Sequence, residues 1–203
     1  MTARFICAAS IVFCVALSVG TSSPEPAQDA KSDSTAFEID PVHSTFTFRV
    51  RHFDVSWFWG RVNAPEGEFK LDADDLAGSY VNITAQIKNM DAGNNSRNGF
   101  LMSPDFFNVR EYPTAEFRST SVSKADGDAF DVTGTFTMHG VTRPITVRVD
   151  DFTTVQTTKF GFRGGFECTF EVDRSDYGMD LFVKERTLGD TVRIIASIES
   201  KGI

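Results

Sequence analysis

Phe46, Phe48 and Val50 alternate with Thr45, Thr47, Arg49 and Arg51, so one face of this segment is apolar and the other polar. A period of two marks a half-buried β-strand. The pattern returns in Val81, Ile83, Ala85 and Ile87; in Phe130, Val132, Gly134, Phe136 and Met138; in Ile145, Val147 and Val149; and in Val192, Ile194, Ala196 and Ile198. Each run is rich in β-branched or aromatic residues, which suit a pleated surface. Residues 68–71, 115–122 and 160–172 add further strands, and turn signals such as Ala125-Asp126-Gly127-Asp128 and His139-Gly140-Val141-Thr142 separate neighbours.

Strands joined by such short turns are mostly antiparallel, and about eight of them with one apolar face close most easily into a barrel. A β-sandwich is the alternative. The one interruption, 94–109 (NNSRNGFLMSPDFFNV), predicts a short helix that carries Phe100, Leu101 and Met102 before Pro104. Asn95 or Ser96 would cap it, and a lid over a barrel end is its natural role. The expected fold is therefore all-β, an extended eight-stranded antiparallel barrel with one short helix or cap near 94–109.

Ahead of this domain, residues 5–19 carry no charge, follow Arg4 and precede small and polar residues. We read 1–20 as a secretory signal peptide, because roughly 15 apolar residues fall short of the ~20 that cross a bilayer. Residues 21–35 hold Ser, Pro, Asp, Gln and Lys with little to bury, which predicts a flexible tether before a domain at 36–203. Cys7 and Cys14 fall in the signal, leaving Cys168 without an intramolecular disulfide partner. Its parity with Phe166, Phe170 and Val172 makes it a small buried hydrophobe.

Composition sharpens the picture at two points. The net charge of −8 makes nucleic acid a poor partner. The chain has 20 Phe against two Trp and three Tyr, so the inward face of the barrel is dominated by flat apolar rings. Those rings either fill the barrel or line a cavity, and parity alone leaves both open. A cavity would bind an alkyl or isoprenoid chain at roughly 0.8 kcal/mol per buried CH₂. Parity selects Phe46, Phe48, Val50, Ile83, Phe117, Phe136, Phe166 and Phe170 as its lining, with Arg97 and Arg174 as contacts for a polar head group. Trp57-Phe58-Trp59-Gly60 would guard a barrel mouth, touch a membrane surface or plug an end.

Catalytic signals are weak. His43, His52 and His139 lack a second ligand at metal-site spacing, and no GxSxG, P-loop or GxGxxG is present. The glycines at 161–165 suggest a bulge or bend, and Asp173-Arg174-Ser175-Asp176 reads as a structural turn. No catalytic residue, metal or cofactor is expected.

Several blocks nevertheless fall in a recognisable order. Phe37-Glu38-Ile39-Asp40-Pro41-Val42-His43-Ser44 precedes Phe46, Phe48 and His52, then Gly60-Arg61, Gly67 and Leu71-Asp72. The sequences SPDFFNV from Ser103, YPTAEF from Tyr112, TGTFTMHGVTRP from Thr133 and DRSDYGM from Asp173 follow. Together they resemble the YceI-like family. The resemblance implies a lipocalin-like barrel, secreted to the bacterial periplasm, that carries a polyisoprenoid, an isoprenoid quinone or another long-chain amphiphile without catalysis. It also suggests a homodimer. Where that family often has Arg-Asp-x-His-Leu, this chain has Arg97-Asn98-Gly99-Phe100-Leu101, which removes a carboxylate and an imidazole and makes the spot greasier. The alternative function is an envelope stress protein that acts by protein contacts through 57–59, with the barrel as scaffold.

Overall fold

The alternating runs form strands whose inward residues are buried and whose outward residues are not. In the Phe130–Met138 strand every second residue, from Phe130 to Met138, is buried. The computed structural model describes residues 35–203. The expected signal peptide and all but the last residue of the expected tether lie outside the described residues.

In chain order the strands are β1 (Phe37–Ile39), β2 (Thr45–His52), β3 (Ser56–Asn63), β4 (Glu66–Lys70), β5 (Tyr80–Gln86), β6 (Met90–Asp91), β7 (Thr114–Lys124), β8 (Phe130–Met138), β9 (Val141–Thr157), β10 (Gly161–Asp173) and β11 (Leu188–Gly202). One α-helix, α1 (Asn95–Met102), follows β6. Hydrogen bonds close a ring of eight antiparallel strands, β1-β4-β5-β7-β8-β9-β10-β11, with β11 pairing back to β1. The eight-stranded antiparallel barrel expected from the alternation is present, lipocalin-like as the resemblance implies, with β2, β3 and β6 added outside that ring. β1 pairs with β11 at residues 200–202 and β2 pairs with it at 188–197, so β2 extends the wall beyond β1. β3 pairs with β2 and β6 rather than β5, and Met90, Ala92 and Leu101 pack into that part of the wall. The aromatic run 57–59, read from sequence as following a strand, is itself part of β3.

Local chemistry sets the connections. β8 and β9 are joined by two residues, His139 and Gly140, with φ of 52° and 75°. Positive φ at both positions is the type I′ geometry that matches strand twist, and glycine adopts it freely. Asn94, one residue before the expected cap, accepts a hydrogen bond from the Arg97 N–H at 2.8 Å and starts α1. The helix ends at Ser103, before Pro104, which disfavours helical backbone in the residue preceding it.

The bulge expected in the 161–165 glycine run instead places its extra residue on the facing strand. Between Gly165 and Glu167 the β9–β10 register shifts, and Asp151 on β9 turns left-handed at φ 53°. The shift reverses parity, so Phe152 packs inward three residues after buried Val149. Phe152 thereby joins Phe37, Phe69, Phe130, Phe162 and Phe166 at the lower end, where β1 lies. Phe37 stacks on Phe69 at 5.2 Å, and Phe69 meets Phe166 edge-on at 5.0 Å. Phe152 touches Phe37, Phe69 and Phe130 edge-on at 6.1–6.3 Å. This cluster plugs the barrel floor.

Phe69 is fully buried in the plug. Phe69→Ala is expected to cost about 3–5 kcal/mol, whereas Phe160→Ser at the exposed β9–β10 turn should change stability by about 0.5 kcal/mol or less. Urea unfolding of the two variants checks this, and equal losses would contradict the plug.

Candidate functional site

Above the plug the barrel is hollow. The inward side chains of β2, β5, β7, β8, β9, β10 and β11 enclose a cavity of about 480 Å³. All eight residues selected by parity lie on its wall: Phe46, Phe48 and Val50 on β2, Ile83 on β5, Phe117 on β7, Phe136 on β8, and Phe166 and Phe170 on β10. The volume falls within the roughly 300–1,000 Å³ of pockets that bury small organic ligands. Both readings of the phenylalanines therefore hold, in different halves of one barrel.

Some of the lining is not periodic. Phe100 and Leu101 come from α1, the helix expected to cover a barrel end, whereas Met90 from β6 and Met179 and Phe182 from the segment between β10 and β11 were missed from the sequence. Only their hydrophobicity distinguishes them in the sequence. On the other wall, Gly60 is inward-facing opposite Phe48. A Cβ there would stand 2.4 Å from the Phe48 ring, so the absence of a side chain lets that ring lie back against β3.

The polar lining gathers at the upper end, where His52, Ser56, Arg97 and Thr187 meet exposed Trp57, Phe100 and Phe182. This is the mouth, and Phe100 and Phe182 face each other across it at 6.4 Å. Trp57 stands at the rim, so the aromatic run marks the mouth and the phenylalanines plug the opposite end. Asn98 accepts a hydrogen bond from the Ala92 N–H at 2.7 Å and holds α1 to the wall.

Arg97 and Arg174 both reach the cavity wall but differ in what holds them. Arg174 is 2% exposed, donating from Nε to the Gly189 carbonyl at 2.8 Å, from one terminal nitrogen to Met179 at 2.6 Å and from the other to Leu188 at 3.0 Å. Burial pushes its pKa down, opposed by Asp190 and Asp180. Its bonds tie the start of β11 to the loop that carries Phe182. Arg97 donates to the Ala92 carbonyl at 2.6 Å and lies 4.9 Å over the Phe58 ring. It is exposed at the mouth.

The three histidines occupy separate places. His52 packs edge-on to Phe53 at the mouth, and His139 sits in the β8–β9 turn with Nδ1 3.0 Å from the Tyr177 carbonyl. His43 lies beyond β1, its Nδ1 3.1 Å from Asp40. That hydrogen bond raises the His43 pKa and lowers that of Asp40. Asp40, His43 and Glu199 come within 4.8 Å of one another, but Arg163 already approaches Asp40 at 3.2 Å and Glu199 at 3.8 Å. The arrangement is an ion-pair network at the sheet margin.

Cys168 is buried on the cavity wall, and desolvation pushes its thiol up to about 12. An unfolded thiol loses its proton from about 9 upward, while the folded one keeps it until about 12. The unfolded state then binds fewer protons, so this group's contribution to stability declines as pH rises between those values. At pH 8, Cys168 should react with a thiol-specific disulfide reagent orders of magnitude more slowly in the folded protein than in urea. Comparable rates, read by absorbance, would contradict a buried neutral thiol.

A model of the YceI-like domain matches residues 37–200. The UPF0312 protein PA0423 of Pseudomonas aeruginosa is 33% identical over 168 residues, covering 82% of this chain and 86% of that protein. Protein YceI of Escherichia coli O157:H7 is 35% identical over 137 residues, covering 68% of this chain and 71% of the relative. Among solved structures, Burkholderia cenocepacia BcnA superposes with a TM-score of 0.70 at 21% identity, covering 79% of this chain and 98% of that one. A polyisoprenoid binding domain from Saccharophagus degradans, implicated in plant cell wall breakdown, gives 0.62 at 15% identity, covering 83% and 99%. These two likenesses establish the shared fold.

Proposed function

Because this chain belongs to the YceI-like domain family, we propose that it is a carrier that holds the tail of a polyisoprenoid or similar long-chain amphiphile inside its barrel. The observation that carries the reading is the cavity itself, about 480 Å³, apolar along its walls, blocked below by phenylalanines and open above. An apolar tail entering it gains roughly 0.8 kcal/mol for each CH₂ withdrawn from water. No ionic contact is needed along the tail, so affinity grows with tail length until the plug is reached. The head group stays at the mouth, with Arg97 as its cation and Arg174 chiefly a brace for the loop beneath it.

The polyisoprenoid class is supported by the family resemblance and by the likeness to the polyisoprenoid binding domain from Saccharophagus degradans. YceI-like proteins bind lipid without catalysis and are typically periplasmic or secreted. We place this chain in the same compartment, exported by its 1–20 segment, which is then cleaved, with 21–35 as the linker ahead of the domain. Among the described residues no helix is long and apolar enough to cross a membrane.

Ile194 lies on the cavity wall beside Phe48. Ile194→Trp should occupy cavity volume and weaken binding of a fluorescent polyprenol by roughly tenfold, equivalent to losing about two buried CH₂ groups. Titration monitored by probe fluorescence checks this. Unchanged affinity in a folded variant would place the tail elsewhere.

A further inference from the structure

The outer face of the β2–β3 hairpin has a composition unlike that of the rest of this acidic chain. Arg49 pairs across the ladder with Trp59, and Arg51 with Trp57. The Arg49 guanidinium lies 4.3 Å over Trp57 and 5.5 Å over Trp59, and that of Arg51 lies 4.8 Å over Trp57. On its other side Arg49 is the direct cross-strand partner of Arg193 on β11. Like charges placed this way repel. Among the described residues, Arg49, Arg51 and Arg193 have no carboxylate within ion-pair distance, and the buried Nε of Arg49 has no hydrogen-bond acceptor. Of the neighbouring carboxylates, Asp91 pairs with Arg61 at 3.0 Å and Asp54 with Arg186, while Glu171 on β10 is the direct cross-strand partner of Arg193 on the side away from Arg49.

The hairpin tip adds Phe53 and Val55, which are 57% and 80% exposed. It stands beside the mouth, because the Phe53 N–H donates to the Thr187 carbonyl at 2.9 Å, and Thr187 lines the cavity. Exposed Phe53 and Val55 at the tip thus lie on the same end of the barrel as Trp57 and Phe182 of the cavity lining.

We propose that this face docks the barrel on a bilayer containing anionic phospholipid, so that the mouth opens onto the acyl chains. The inference deepens the carrier reading and rests on it for its purpose. Charge complementarity selects the occupant. A chain of net charge −8 is repelled from an anionic surface in most orientations, and this cationic face reverses that locally. Guanidinium groups match phosphate oxygens, and tryptophan favours the zone between head groups and hydrocarbon. Phosphates between Arg49 and Arg193 would also relieve their repulsion. Phe53 and Val55 would enter the acyl boundary as an amphipathic anchor does.

The two tryptophans of the chain, Trp57 and Trp59, make this face its own reporter. The exported protein, isolated without detergent, is mixed with vesicles of phosphatidylcholine alone or with one quarter phosphatidylglycerol. The expected result is co-sedimentation with the anionic vesicles, weakened by salt, with blue-shifted tryptophan emission that brominated acyl chains quench. R49Q/R51Q/R193Q should weaken vesicle binding by roughly a hundredfold, from three arginines near a charged surface. Should that variant fold poorly, Phe53→Ser/Val55→Ser at the exposed tip must abolish the bromine quenching instead. Equal binding to both vesicle types, unaffected by either variant, overturns the proposal, as does capture of a protein partner through Trp57 and Trp59 without vesicle binding. Solvent extraction of the same samples separates the two claims. Lipid content without vesicle binding removes the docking face alone, and vesicle binding by a protein that never takes up a polyprenol removes the carrier reading alone.

Discussion

A void inside a protein forfeits the dispersion contacts that its lining atoms would otherwise make, so a cavity of about 480 Å³ has to be supported by structure around it. Here the support is divided along the barrel axis. The lower end is a closed hydrogen-bonded ring filled by interlocking phenylalanines, with Phe69 at its centre. Because that end is solid, the upper inward faces need only form a rigid wall. The bulge at Asp151 belongs to the same division, since it brings Phe152 into the plug.

The upper end is held by polar chemistry at its margin. Arg174 is buried and gathers three backbone carbonyls, from Met179, Leu188 and Gly189. Replacing it would leave those acceptors unsatisfied in a buried site, which is costlier than losing an exposed ion pair. α1 is fixed comparably, by Asn94 at its start and Asn98 against Ala92. The mouth is thus framed by backbone-directed hydrogen bonds, and its rim is left to aromatic side chains and arginine.

Much of this was legible in the sequence because side-chain direction in a strand has period two. Phe46, Phe48 and Val50 point inward wherever the strand lies, and the same holds for Ile83, Phe117, Phe136, Phe166 and Phe170. Distance across the barrel is not encoded by parity, so whether Phe166 met another ring or empty space had to come from the fold. Irregular elements were read less well. Met179 and Phe182 belong to a segment with no period, the helix cap is Asn94 rather than the expected Asn95 or Ser96, and a bulge expected from glycines on β10 has its extra residue on β9. The four aromatic and glycine residues after β2 hid a strand because their outward members, Trp57 and Trp59, are as apolar as the inward Phe58.

The central claim is that the hollow half of the barrel holds a lipid tail. Native mass spectrometry of the exported protein, purified without detergent, tests it most directly, followed by solvent extraction and mass analysis of whatever is released. The account predicts a bound species whose mass falls in a prenyl series and which is lost together with the extra mass on the protein. A bare polypeptide that also fails to take up added polyprenol would contradict it.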